Sequence, residues 1–91
     1  MNKKLHFGRL LNYYRNKKGI TIRHAAVIMG IDSGYLSKLE NSKSGPHEKI
    51  LRVIKMIAPL NLTDLENKLL IDSALDWHLE NIKEKWFKGS A

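Results

Sequence analysis

Hydrophobic residues recur along the chain three or four positions apart, which is the spacing of a helical face, and no segment alternates as a strand does. Residues 4–17 carry the first such face, and Gly19 is suited to end this helix. Thr21 is suited to cap a second, short helix that Gly30 closes, and Asp32 to cap a third. The pattern therefore predicts three helices in the first forty residues, the last two joined by a tight turn.

The fourth helix is predicted to follow a loop rich in turn-forming residues. Pro46 suits the first turn of this helix, and Pro59 is expected to stop it. Its predicted buried stripe consists of Ile50, Leu51, Ile54, Ile57 and Ala58.

A capping box formed by Thr63 and Glu66 is expected to start the fifth helix. No Gly or Pro follows until after Lys88, so one long helix and two shorter ones are both compatible with the sequence. Near the end of the chain, Leu75, Leu79, Ile82 and Trp86 have the spacing of a helix–helix contact, and we call this seam the dimerisation stripe. The earlier leucines do not continue this seam, which favours a break near residues 71–74 with Ser73 as an internal cap. We accordingly divide the chain into a domain over 1–70 and a C-terminal helix over 71–91.

Positive charge is concentrated in the front part of the chain. Residues 1–60 hold 12 Lys or Arg against three acids, a formal charge of +9, whereas residues 61–91 hold four Lys against six acids, a charge of −2. This imbalance favours a polyanionic partner for the front domain, although it could also serve solubility alone. The acidic tail disfavours binding to an anionic membrane. The absence of cysteine excludes disulfides and fits a cytoplasmic protein.

The second and third helices have the parts of a helix-turn-helix, in which the second helix of the pair enters the major groove of DNA. Residues 21–41 read TIRHAAVIMGIDSGYLSKLEN. They place the small Ala25 at the helix crossing, Gly30 in the turn, and Leu36 and Leu39 where they can anchor the reading helix.

Together with SKSGP and LTDLE further on, this segment resembles the phage repressors and Cro proteins, the Xre-type helix-turn-helix family. The resemblance covers about residues 5–66. It implies an all-α fold, a compact five-helix bundle in which helices 2 and 3 form the helix-turn-helix, here with a C-terminal helical extension. It also implies a dimer that binds double-stranded DNA.

The resemblance implies that four residues of the reading helix face the base edges: Ser33, Gly34, Ser37 and Lys38. Lys38 is the candidate for a long contact to guanine. The expected phosphate contacts are Thr21, Arg23, Tyr35, Asn41, Ser42 and Lys43. Packing on the domain surface is an equal alternative for Tyr35. Ile22 stands where the family usually has Gln, so we assign it no polar role.

The family also pairs a Glu at the end of the reading helix with an Arg of the first helix. Glu40 and Arg15 stand at the matching places. The resemblance therefore implies a mostly buried ion pair that orients these two helices.

The C-terminal helix has three open interpretations: it forms a homodimer, it docks a second protein such as an antagonist, or it folds back on its own bundle. Our hypothesis is a repressor-like transcriptional regulator that binds a palindromic operator as a homodimer. The alternatives are an adaptor or antitoxin-type module that binds DNA weakly, and a non-specific packaging protein. The four histidines lack metal-site spacing, and no catalytic constellation is recognisable. We therefore expect no enzyme activity, no metal and no cofactor.

Overall fold

Helices make up the regular structure of the computed structural model, which describes residues 6–90 and the side chains of residues 6–83. The helices are α1 (Phe7–Lys17), α2 (Ile22–Met29), α3 (Ser33–Glu40), α4 (Ile50–Ile57) and α5 (Asp64–Ser90), with a 3₁₀ turn at Ala58–Leu60. The predicted all-α fold with five helices is confirmed.

Local signals at the helix ends behave as the sequence predicts. Gly19 follows α1 with a left-handed φ of 72°, and its N–H donates to the Asn16 carbonyl at 2.9 Å. At the start of α5, the Thr63 N–H donates to Glu66 Oε1 at 3.0 Å, and the Glu66 N–H donates to Thr63 Oγ1 at 3.1 Å. Both partners of the capping box are therefore satisfied.

The core lies where α1, α3, α4 and α5 meet. Its largest fully buried side chains are Phe7, Leu11, Leu36, Leu39, Val53, Ile57 and Leu70. Each such side chain contributes roughly 1.5–3 kcal/mol relative to exposure. At Gly8 the backbone of α1 comes so close to α3 that a Cβ would overlap the Leu39 carbonyl. The start of α1 and the end of α3 are thus held in direct contact.

The prediction that Pro46 lies in the first turn of α4 is wrong. Pro46 is buried in the connection between α3 and α4, and α4 begins only at Ile50. This connection is held against α5 instead. A Cβ on Gly45 would overlap the Trp77 indole, and His78 Nε2 lies 2.9 Å from the His47 carbonyl, to which it donates.

The predicted buried stripe of α4 is wrong in part. Ile57 is buried, as predicted, together with Val53, but Leu51 is 67% exposed and Ile54 is 37% exposed. Ala58 is also exposed and lies in the 3₁₀ turn. An eight-residue helix at the surface buries one narrow face, and here residues 50, 53 and 57 form that face.

The predicted break near residues 71–74 is also wrong, because α5 is continuous from Asp64 to Ser90. Ser73 caps no new helix, since its hydroxyl donates to the Leu70 carbonyl at 2.7 Å within α5. Leu70 and Ala74 are fully buried, so this part of α5 contributes to the core. These two residues and the later stripe therefore lie on different faces of one uninterrupted helix. The earlier face points into the core, and the later one is exposed.

Candidate nucleic-acid interface

The two short helices α2 and α3 pack together through small residues. Ala25 and Ala26 are 1% and 2% exposed. Gly30 ends α2 with left-handed backbone angles, φ 72° and ψ 31°, and the Ile31 N–H returns to the Ala26 carbonyl at 3.0 Å. This is the glycine-ended arrangement that stops a helix sharply. The predicted tight turn between the two helices is therefore confirmed.

The start of α3 is capped by Asp32, as predicted. Its Oδ2 accepts from the N–H groups of Gly34 at 2.8 Å and Tyr35 at 3.2 Å. A Cβ on Gly34 would lie 2.8 Å from this same oxygen, so the glycine leaves room for the capping carboxylate. Because that oxygen is the end of a flexible side chain, a small shift would admit a Cβ, and the cap alone does not require glycine here.

The outward face of α3 is short and polar. Leu36 and Leu39 are fully buried on the opposite face and fix the helix to the core. The residues that share the outward face at helical spacing are Gly34, Ser37, Lys38 and Asn41. Among the predicted base-contacting residues, Gly34 and Lys38 are exposed, whereas Ser33 and Ser37 are half-buried. Lys38 is the one long side chain of this face.

Two of the predicted phosphate-contacting residues stand at the start of α2. Thr21 and Arg23 are both exposed. The Thr21 hydroxyl already accepts from the His24 N–H at 3.1 Å as the helix cap, but it keeps its own proton to donate. Ile22 between them is half-buried and packs against the core, which agrees with the absence of a polar role.

Three more of these residues follow one another directly after the reading helix. Asn41, Ser42 and Lys43 are all exposed. The Asn41 side chain donates to the Ser37 carbonyl at 2.9 Å and so lies against the last turn of α3. Ser42 has a left-handed φ of 59°, which turns the chain away from the helix axis. The structure thus brings three hydrogen-bond donors together at one end of α3.

Tyr35 lies apart from these residues. It is half-buried, packs against the core and lines a shallow hollow of about 450 Å³ between α2, α3 and α4. Arg52 and Lys55 line the same hollow. The Tyr35 ring therefore packs on the domain surface, and a contact of its hydroxyl with a phosphate stays a prediction.

The predicted ion pair between Arg15 and Glu40 is present and has two contacts. Arg15 Nε lies 2.7 Å from Glu40 Oε2, and Arg15 Nη2 lies 2.9 Å from Glu40 Oε1. Asn12 also donates to Glu40 Oε1 at 2.8 Å, and Arg15 Nη1 donates to the Ile20 carbonyl at 2.8 Å. The Glu40 hydrogen bond raises the pKa of Arg15. This network ties α1 to the end of α3 and to the connection before α2.

The predicted dimerisation stripe is exposed as far as it is described. Leu75, Leu79 and Ile82 are each half exposed, at 50%, 53% and 50%. The side chain of Trp86 lies outside the described residues. The first half of α5 packs on the bundle through Leu70 and Ala74 and leaves this stripe uncovered, so dimerisation and docking of a partner both stay predictions.

Within the described part of the chain, no three His, Asp or Glu side chains are grouped so as to hold a metal ion. No described helix combines the length and the apolar character needed to cross a membrane.

The fold and this geometry define a class, the small all-helical domain built around a helix-turn-helix. Over 59 residues, the chain is 34% identical to the HTH-type transcriptional regulator SlrR of Bacillus subtilis (strain 168). The match covers 64% of this chain and 39% of that protein, so the chain spans well under half of its relative's length. No protein-family model and no solved structure matches the chain. The comparison supports a relation to helix-turn-helix regulators, while the narrower resemblance to Cro and the phage repressors stays a prediction.

Proposed function

We propose that this protein is a transcriptional regulator of the cytoplasm that binds double-stranded DNA with α3 in the major groove. The observation that carries the proposal is the outward face of α3. Between residues 33 and 41 the one carboxylate is Glu40, and it is buried and paired with Arg15. The remaining outward side chains are small and neutral, apart from Lys38. Apart from the carboxylate of Asp32, which is exposed at the front of α3 and caps it, this face carries no charge that would repel phosphates.

In this mechanism the +9 charge of residues 1–60 attracts the duplex, and the flanking donors fix its position. The phosphate contacts are assigned to Thr21, Arg23, Tyr35, Asn41, Ser42 and Lys43. Base reading is assigned to Ser33, Gly34, Ser37 and Lys38, where Lys38 reaches guanine O6 or N7. The proposal assigns binding alone to the protein and no catalytic step.

A homodimer on a palindromic operator extends the proposal to the whole molecule. The exposed stripe of Leu75, Leu79 and Ile82 supports it, because solvent-facing leucines at this spacing suit a helix–helix contact. Pairing of two copies would set the two reading helices about one turn of DNA apart, roughly 34 Å. Such binding would act as repression if the operator overlaps a promoter.

The same stripe favours a second candidate, an adaptor or antitoxin-type module that binds another protein, such as an antagonist, and DNA only weakly. Selection of bound duplexes from a random pool separates the candidates. A specific regulator prefers its best duplex over random DNA by about 10³-fold or more. A ratio near one with tight binding would indicate non-specific packaging, and weak binding to every duplex at moderate salt would indicate the adaptor.

A pair of lysine variants tests the assignment of roles. Lys38→Ala should reduce the preference for the selected duplex, because it removes the one long side chain of the reading face. Lys43→Ala should weaken binding to selected and random duplexes alike and lower the salt slope by close to one unit. Titration of both duplexes at several salt concentrations measures both effects. Equal behaviour of the two variants would contradict the assignment.

A further inference from the structure

A polar hollow of about 420 Å³ opens between the start of α1 and the end of α3. The side chains that line it are His6, Arg9, Asn12, Glu40, Asn41 and Ser42. Two of these, Asn41 and Ser42, belong to the residues assigned to phosphate binding. Arg9 is not among those residues, since the resemblance relates α1 to the end of α3 only through Arg15 and Glu40.

The hollow owes its position to a close backbone approach. A Cβ on Gly8 would overlap the Leu39 carbonyl, so the first turn of α1 lies directly against the last turn of α3. The neighbouring residue, Arg9, is exposed and lines the hollow from the α1 side. Ser42 lines it from the other side, where its left-handed backbone turns the chain after α3.

The charge of the hollow is set by Arg9. Glu40 also lines it, but both carboxylate oxygens are engaged by Arg15, and Oε1 accepts from Asn12 as well. Among the described residues that line the hollow, Arg9 is the one lysine or arginine. The buried carboxylate is therefore neutralised from within the domain, and the exposed guanidinium stays available to an outside anion.

We propose that this hollow receives a backbone phosphate of DNA, with Arg9 as its principal ligand. A guanidinium presents two parallel N–H donors that match a phosphate, and such charge-assisted hydrogen bonds are roughly twice as strong as neutral ones. The Ser42 hydroxyl supplies a neutral donor on the opposite wall. The DNA footprint then extends from the loop after the reading helix onto the start of α1. This inference rests on the proposed function.

The test compares Arg9→Gln with Lys68→Gln in the full chain. Each variant removes one positive charge, but Lys68 stands on α5, where it pairs with Asp72 at 2.9 Å, away from the hollow. Binding of the selected duplex and of a random duplex is titrated over a range of salt concentrations. Arg9→Gln should lower the salt slope by close to one unit and weaken both duplexes by about five- to tenfold near 0.1 M salt. Lys68→Gln should leave the slope unchanged.

Arg9→Lys provides a second variant, which keeps the positive charge but lacks the two parallel N–H donors of the guanidinium. It should bind more tightly than Arg9→Gln and less tightly than the wild type. Thermal unfolding should be the same for all variants, because Arg9 is exposed. A wild-type slope for Arg9→Gln, or a loss no larger than that of Lys68→Gln, would overturn the inference. Failure of the proposed function would look different, since the wild type itself would then show no preferred duplex.

Discussion

Glu40 illustrates how a single buried charge can serve the binding surface without touching DNA. Its side chain is 4% exposed, and three donors hold its two oxygens, two from Arg15 and one from Asn12. We predict that Glu40→Ala lowers the free energy of unfolding by roughly 3–5 kcal/mol, because the Arg15 guanidinium would be left without its partner. Urea denaturation at neutral pH measures this loss. DNA binding should weaken as a consequence of the loosened α1–α3 contact.

Glu48→Ala is the matched control for that measurement. Glu48 is an exposed glutamate in the connection before α4, and it should change stability by no more than about 0.5 kcal/mol. If Glu40→Ala were as stable as Glu48→Ala, the ion pair could not be what orients the two helices.

Ser42 has a backbone conformation that favours glycine. Its φ of 59° is in the left-handed region, which costs a residue with a Cβ roughly 1 kcal/mol. We predict that Ser42→Gly raises the free energy of unfolding by about 0.5–1 kcal/mol, measured by urea denaturation. The same variant should bind DNA less tightly, because it lacks the hydroxyl assigned to a phosphate. A variant that is more stable and binds DNA as well as the wild type would remove Ser42 from the interface.

At the scale of the element, the start of α5 should respond to pH. The hydrogen bond from the Thr63 N–H lowers the pKa of Glu66 most, and the bond from Lys17 Nζ at 3.2 Å adds to this. A lowered pKa in the folded state means that the stabilisation is complete above the ordinary glutamate value of 4.5 and is lost as pH falls through the lower folded value. We therefore predict that the wild type is more stable than Glu66→Gln at about pH 7 and loses this advantage progressively as the pH falls below 4.5.

Urea midpoints of the two proteins across this pH range provide the measurement. Gln keeps a side-chain oxygen that can accept from the Thr63 N–H. The comparison therefore measures the effect of the Glu66 charge on stability, with the capping hydrogen bond retained. A gap between wild type and Glu66→Gln that widens as the solution becomes more acidic would contradict the prediction.

The same scale shows what a sequence can and cannot predict. The caps by Thr21, Asp32 and Thr63 are local, since donor and acceptor are two or three residues apart, and all three are present. The face of α4 and the continuity of α5 depend on what each helix packs against. The sequence therefore led to a wrong assignment for Leu51 and to a break in α5 that does not exist.

For the molecule as a whole, contacts between distant segments decide features that no local pattern contains. Two such contacts involve Trp77 and its neighbour in α5: His6 lies edge-on to the Trp77 ring at 6.4 Å, and His78 donates to the His47 carbonyl. Gly45 packs on the same indole. The loop after the reading helix is therefore seated on α5. The loop after α3 and the helix with the exposed stripe thus belong to one packed unit, which would let pairing of two α5 helices fix the placement of both α3 helices.

This arrangement leads to a prediction about assembly. Leu79 is the middle residue of the described stripe and is 53% exposed, so Leu79→Asp should leave the domain folded and place a carboxylate at the proposed seam. We predict that the wild type sediments as a dimer and Leu79→Asp as a monomer, with affinity for the palindromic duplex reduced to that for a single half-site. Leu65→Asp is the matched control, because Leu65 is 64% exposed on the same helix but lies outside the stripe. A wild type that is monomeric with and without DNA, or equal sedimentation of the two aspartate variants, would contradict a homodimer formed through the stripe.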